Sequence, residues 1–524
     1  MPTYTAPGVY VEEVPSSQKV LSAAPTAIAA FVGFTEKAPT DDPNDPLGLA
    51  PRLVTSWSQF ESLYGSFAPG CVLPLSVYGY FANGGSIAYI CRVPNTEPAG
   101  EPARLAIPAA DRALGEPITV ESIEPDANIA IEIANADMGE DDAEGPSPFN
   151  LTVLLDGVPV ESFDNLDFGS GDRNVKTVVN KTSTHVKVDV ALDKATDLAN
   201  QIEVLKPGRY ALTKAAPVPV PVTPRKFAGS ESARNGINGL AVAEDVTMVI
   251  VPDLITAATK DDGSVDLNLW KSVQTALISH CEQHGNRMAI LDAPPSMNPQ
   301  QIKDWRSDVA MYDSAFAALY YPWIKVDNPI GVNGNKEVFV PPSGHVAGVW
   351  ARTDESRGVW KAPANDTIRG VLDIERSITQ NEQGLLNPIG INCIRPFGTR
   401  GIRIWGARTL ASDTDWRYIN VRRLFNMIET TILEGTQYAV FEPNDMTLWE
   451  GVKRTLNGFL RGLWSAGALF GATADQAFYV KCDAETNPPE SIDEGKLVVE
   501  VGIAPVKPAE FVIFRISQQK QTAS

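Results

Sequence analysis

The stretch from Val246 to Val326 constrains the fold more than any other. Val246–Val251 is a short apolar run stopped by Pro252, and Arg287–Leu291 is a second such run. Between them, Leu267–His284 carries apolar residues at helical spacing and ends at Gly285. Pro299–Val309 then reads as a helix, and Ala315–Val326 as a strand interrupted by Pro322. Strand, helix, strand, helix, strand in that order predicts a mostly parallel, doubly wound sheet. The N-terminal region supplies more of the same: a buried strand in Thr26–Phe34, and a helix opened by Ser56-Trp57-Ser58-Gln59 and closed at Gly65. A helix at Leu75–Phe81 and a strand at Ile87–Val93 follow.

The alternation is broken between Gly100 and Arg225. This segment holds 21 acidic and 11 basic residues, half of the net charge of −20. Asn128–Ile133, Asn150–Leu155, Val175–Val179 and Val186–Val190 read as short strands joined by Asp/Gly/Asn turns, and Pro217–Pro221 as a stiff extended linker. The expected organisation is therefore a discontinuous α/β domain, 23–99 with 226–368, interrupted by an acidic β-rich domain, 100–225. An α+β domain, 369–503, follows, with strands near Ile391–Arg395, Ile402–Trp405, Phe478–Lys481 and Lys496–Val501. Its helices are expected near Thr414–Leu433 and Met446–Leu469. Between Ile391 and Phe470 ten basic residues outnumber seven acidic ones, a positive region on an acidic chain.

The overall charge argues against a nucleic-acid binder and against docking on anionic lipid. No apolar run is long enough to span a bilayer, and Met1–Pro7 has no secretory pattern, so synthesis in the cytoplasm is expected. The five cysteines (Cys71, Cys91, Cys281, Cys393, Cys482) are odd in number and without a C-x-x-C pair, which suits a reduced setting. His280 and His284 sit at i, i+4, but Cys281 stands where a zincin needs Glu. They read as the end of an amphipathic helix, cations offsetting its dipole. Gly398-Thr399-Arg400-Gly401 and Gly84-Gly85 fit no phosphate-binding fingerprint, and Pro342-Ser343-Gly344-His345 lacks the first glycine of a nucleophile elbow. No catalytic residue, metal site or cofactor is expected.

The ends of the chain remain. Pro7 and Pro15 bracket a β-prone stretch containing Val9, Tyr10, Val11 and Val14, too short to have a core. Glu510–Ile516 is apolar on both faces of a strand through Phe511, Val512, Ile513, Phe514 and Ile516, so it must be buried in a sheet. The arms thus span 1–22 and 504–524. Both ends either pair within their own chain or complete a neighbour's sheet, and head-to-tail donation between copies generates rings or helical arrays.

Several runs resemble the tail sheath proteins of contractile phage tails and phage-tail-like injection systems. They are Thr5–Val14, Pro25–Phe34, Phe81–Gly85, Ala289–Asp292, Tyr320–Trp323, Pro341–Gly344, Lys361–Asn365, Gly401–Leu410, Val421–Phe425, Phe441–Asn444 and Pro508–Phe511. The likeness fails in the acidic insert. It implies an α/β plus α+β multidomain subunit with an outer β-rich insert and two arms laced into neighbours. It further implies hexameric rings stacked around an inner tube protein, with baseplate and terminator or cap proteins at the ends, and contraction driven by energy stored in the extended lattice. Neither nucleic acid nor membrane insertion enters, and the particle would be assembled in the bacterial cytoplasm, for use there or after release. A non-contracting scaffold or terminator of the same particle, or an α/β nucleotide-dependent enzyme, are the alternatives. For the tube contact the expectation is a basic surface on the last two long helices: Arg417, Arg422 and Arg423 on the first, Lys453, Arg454 and Arg461 on the second. Charge reversal at Arg422 and Arg423 is then expected to loosen sheath from tube.

Overall fold

The computed structural model describes residues 21–39, 42, 45, 47–97, 102–110, 115–123, 128–136, 148–169, 171–191, 205–212, 218–220, 222–331 and 336–515. Val9, Tyr10, Val11, Val14 and Ile516 lie outside them. The chain forms two compact units, one from residues up to Pro94 together with those from Val222 on, the other from Asn95–Pro221.

The first unit is organised by a nine-stranded sheet. Its strands are β1 (Ile28–Gly33), β2 (Arg52–Val54), β3 (Ile87–Arg92), β4 (Met248–Ile250), β5 (Met288–Asp292), β6 (Ala317–Tyr321), β7 (Asp366–Thr367), β8 (Ile391–Pro396) and β9 (Ile402–Ile404). Their order is β7-β9-β8-β6-β5-β4-β1-β3-β2. The six central strands, β8 through β3, run parallel, and β2, β9 and β7 pair antiparallel at the edges.

The alternation of side chains along each strand explains the continuous apolar runs. In β1, Ile28, Ala30 and Val32 enter one core while Ala29 and Phe31 enter the other. In β6, Leu319 and Tyr321 take the first face and Ala318 and Tyr320 the second. A sheet covered on both faces has no solvent side on which polar residues could alternate. The first face is covered by α3 (Leu267–His284) through Trp270, Val273, Leu277 and Cys281. The second is covered by α2 (Leu73–Asn83) and α4 (Ser343–Arg357). Those two helices nearly touch: a Cβ on Gly344 or Gly348 would lie 2.5 Å from the backbone oxygen of Ser76 or Tyr80. α1 (Trp57–Tyr64) is capped by Ser56, whose side chain accepts from the Gln59 amide, and ends at Gly65 with φ 85°.

Four expectations change. Val175–Thr182 is a helix, not a strand, because Asn174 caps it and Val175 and Val179 fall on one buried face. The Pro299 helix is α-helical to Asp304 and continues as one π-turn, Trp305–Ala310. The segment around Pro322 splits into β6 and a second strand, Ile324–Asp327, in a separate three-stranded sheet. Finally, β8 and β9 belong to the central sheet, so that sheet runs past the boundary expected at Arg369.

The second unit has its own core. A three-stranded sheet (Arg104–Ile107, Ile118–Ser122, Val186–Val190) and a four-stranded one (Ile129–Asn135, Phe149–Leu155, Val158–Leu166, Gly208–Ala211) bury Ile118, Val120, Ile131, Leu151, Val153 and Val188.

Candidate functional site: arm roots and C-terminal helices

Beyond the sheet, two long helices and a hairpin pack together. α5 is Ile419–Gly435 and α6 is Met446–Ser465, the latter capped by Asp445. Trp449, Val452, Leu456, Leu460 and Leu463 recur at helical spacing along α6 and are buried. The strands Phe478–Lys481 and Glu500–Ile503 pair only with each other, so among the described residues both outer edges of this ladder are unpaired.

The C-terminal arm leaves the body in two stages. Its root is held along its length. The Phe470 amide donates to the Ala504 carbonyl at 2.8 Å, the Asn420 side chain donates to the Val506 carbonyl at 3.1 Å, and Arg408 Nε donates to Glu510 Oε1 at 2.9 Å. The very next residues have no secondary structure. Phe511, Val512, Ile513 and Phe514 are 74%, 70%, 78% and 82% exposed. The strand expected at Phe511–Ile516 is thus not buried within its own chain in the described part. Four consecutive apolar side chains in water constitute an unpaired adhesive segment. The N-terminal root is held similarly: the Ala24 amide donates to Thr431 Oγ1 at 2.9 Å, and Arg423 donates to the Thr26 carbonyl at 2.8 Å.

The expected basic surface separates into two kinds of residue. Arg422 and Arg423 are buried, 6% and 4% exposed. Arg422 donates to Asn426 and Glu429 and lies 4.2 Å from the ring centre of Trp416. Arg423 is forked on Asp354 and lies over Trp350. Both guanidiniums are internal fasteners, which corrects their assignment to an outward surface. Arg417 is half-buried and precedes α5, which starts two residues later. On α6, Arg454 and Arg461 are exposed and make no ion pair among the described residues, while Lys453 pairs with Glu450 one turn before it.

Among the described residues, chemistry is not gathered anywhere comparable. His280 is buried beside Arg287, at 3.3 Å, and burial together with that cation lowers its pKa to about 3. His284 is lowered for the same reasons, so neither is the dipole-offsetting cation that its position at the helix end suggested. All five cysteines are buried and free, and among the described residues no group of three metal-ligating side chains converges. At the carboxyl end of the sheet, where open α/β folds bind cofactors, protein carboxylates occupy the helix starts. Asp253 accepts from the amides of Phe34, Val72 and Leu73, and Asp292 accepts from the amide and hydroxyl of Ser343. Burial raises both to about 7.

A sheet sealed on both faces, cofactor positions filled from within, and a C-terminal root that leads into four exposed apolar residues are the features of a structural subunit. Comparison with known proteins narrows the class. Residues 238–410 match the phage tail sheath protein central domain, and residues 411–519 match the phage tail sheath C-terminal domain. The chain belongs to the phage tail sheath family. It is 31% identical over 225 residues to the tail sheath protein of Burkholderia phage BcepMu, an alignment covering 40% of this chain and 45% of that one. With the tail sheath protein of Enterobacteria phage T4 it shares 26% over 234 residues, 43% of this chain and 35% of that one. The chain therefore spans less than half the length of either relative. Among solved structures, the helical sheath of the anti-feeding prophage in its contracted state superposes with a TM-score of 0.58 at 25% identity, over 99% of this chain and 100% of that one.

The sequence motifs contained Arg408 and Glu510 but not their pairing. The two stand 102 residues apart, and no local pattern announces a contact at that separation. The same holds for Ala24 with Thr431.

Proposed function

We propose that this chain is the repeating subunit of a contractile sheath, polymerised as stacked hexameric rings around an inner tube. The observation that carries this reading is the junction at Glu510–Phe511, where an ion-paired root meets a bare apolar segment. Donated to a neighbour, Phe511–Phe514 would add a strand to an open edge of the Phe478–Lys481/Glu500–Ile503 ladder, with main-chain hydrogen bonds providing register and side chains providing burial. The N-terminal stretch containing Val9, Tyr10, Val11 and Val14 is read in the same way. Subunits tied by such strands can rotate and slide while remaining attached, so a metastable extended lattice would shorten without nucleotide. The relative named above was solved in a contracted state, which supports contraction here. Inner tube, baseplate and terminator proteins are the proposed partners, with the acidic insert facing outward and the exposed cations of α6 facing the tube. Assembly in the bacterial cytoplasm is part of the same proposal.

Ending the chain at Glu510 tests it. The shortened subunit is expected to keep its fold by circular dichroism and to fail to form hollow ridged cylinders in negative-stain micrographs. Cylinders of unchanged length would overturn the reading.

A further inference from the structure

Both arm roots converge on one helix. At its start, Asn420 is 1% exposed, and its Nδ2 donates to the Trp360 carbonyl at 2.9 Å and to the Val506 carbonyl of the C-terminal root at 3.1 Å. One turn on, Arg423 holds the Thr26 carbonyl of the N-terminal root while forking onto Asp354 of α4. Two turns further, Thr431 Oγ1 accepts from the Ala24 amide at 2.9 Å. The last residue of the helix, Gly435, lies so close to Leu21 that a Cβ there would fall 2.1 Å from its Cδ2. Tyr418, just before the helix, directs its hydroxyl towards Glu510 at 3.5 Å.

We infer that α5 is a shared anchor that couples the two arms, so that load on one root changes how firmly the other is held. This rests on the reading of the arms as intersubunit strands, but it concerns the isolated subunit and is testable there. The physical basis is rigidity. A 17-residue helix pinned to α4 by a buried ion pair moves as a body. A displacement that opens the Thr26 and Ala24 contacts therefore also shifts Asn420 against Val506. Coupling of this kind is reciprocal by thermodynamic necessity. In a lattice, it would make the release or seating of one neighbour's contact felt at the other, the requirement for a change that propagates from ring to ring.

The test is amide hydrogen exchange on the full-length unassembled chain. Thr431→Val keeps side-chain volume and removes the acceptor for Ala24, together with the bond that the hydroxyl donates to the Met427 carbonyl one turn back in the same helix. It is expected to raise exchange at the remote Ala504 and Val506 amides by about fivefold or more, with central-sheet amides such as Ile290 unchanged. Glu510→Gln, which weakens the Arg408 clamp at a partly exposed position, is expected to raise exchange at Ala24 reciprocally. If each substitution loosens only its own root, the coupling is wrong. If Thr431→Val speeds exchange throughout the sheet, it has unfolded the subunit, and Glu510→Gln alone decides. Failure of arm donation would appear separately, as normal cylinders from the chain ending at Glu510, without touching this result.

Discussion

Arg423 and Asp354 form an ion pair whose side chains are 3% and 4% exposed. It joins α5 to α4 and hence the C-terminal helices to the sheet. Two charges this deep are tolerated because the guanidinium also meets the Thr26 carbonyl and the Trp350 ring. Removing one partner strands the other. Asp354→Ala or Arg423→Ala is expected to cost about 3–5 kcal/mol in denaturant unfolding. Replacing both with apolar residues of similar size should cost much less. A single substitution costing under about 0.5 kcal/mol would show that the pair is not holding the helix.

The same burial bears on the choice of residues for the tube contact. Reversing Arg422 should unfold the subunit, since Glu there would face Glu429 in place of its partner. Reversing both Arg454 and Arg461 leaves every interior contact intact and should change stability by no more than about 0.5 kcal/mol. Co-sedimentation of this double variant with the inner tube protein is expected to fall at least tenfold, on the order of 1.4 kcal/mol. Unchanged co-sedimentation would remove α6 from the proposed interface.

How much of this was legible beforehand follows from how local each signal is. The Leu267–His284 helix and its glycine stop are written in consecutive residues, and so are the strands at Ile28 and Met288. Val175–Val179 misleads because β-branched residues favour strands, while the decisive cue, an asparagine cap one residue earlier, is a single side chain. The basic residues of 391–470 were visible as a count, but a count cannot separate Arg423, facing inward on α5, from Arg454, facing outward on α6. The roots of the arms depend on partners a hundred to four hundred residues away and leave no mark in local composition.

Asp292 makes stability depend on pH in an unusual direction. Its folded pKa is raised from 3.8 to about 7 by burial, which outweighs the two hydrogen bonds from Ser343. A carboxyl raised in this way favours the fold when protonated, so its contribution is complete below about pH 4 and is lost as pH rises through about 7. Asp253 acts in the same sense. The thermal-unfolding midpoint of the unaltered chain is therefore expected to fall from pH 5 to pH 8 relative to that of Asp292→Asn. This comparison cancels the opposite-signed contribution of the buried His280 and His345, whose pKa values burial lowers to about 3 and about 4. Asp292→Asn should be the more stable protein at pH 8, because Ser343 Oγ can rotate to accept from the new amide. A slope unaffected by the substitution would show that Asp292 stays ionised throughout.

The acidic insert offers the last test, because its two ends meet. Thr96–Glu97 pairs antiparallel with Val218–Pro219, and the Val220 amide donates to the Asn95 carbonyl at 3.0 Å. A chain that leaves and re-enters at neighbouring points imposes no distance on the rest, so a short Gly/Ser linker can replace the insert. The unit also keeps its apolar residues to itself, with Ile131, Val153 and Val188 in a core separate from those of the sheet. Residues 95–221 expressed alone are expected to unfold cooperatively, and the remainder joined by the linker to retain its central sheet and form cylinders. If the excised subunit folds but makes none, the insert takes part in assembly. If it does not fold, the two units are not independent, and the central sheet needs a contact that its own two cores do not supply.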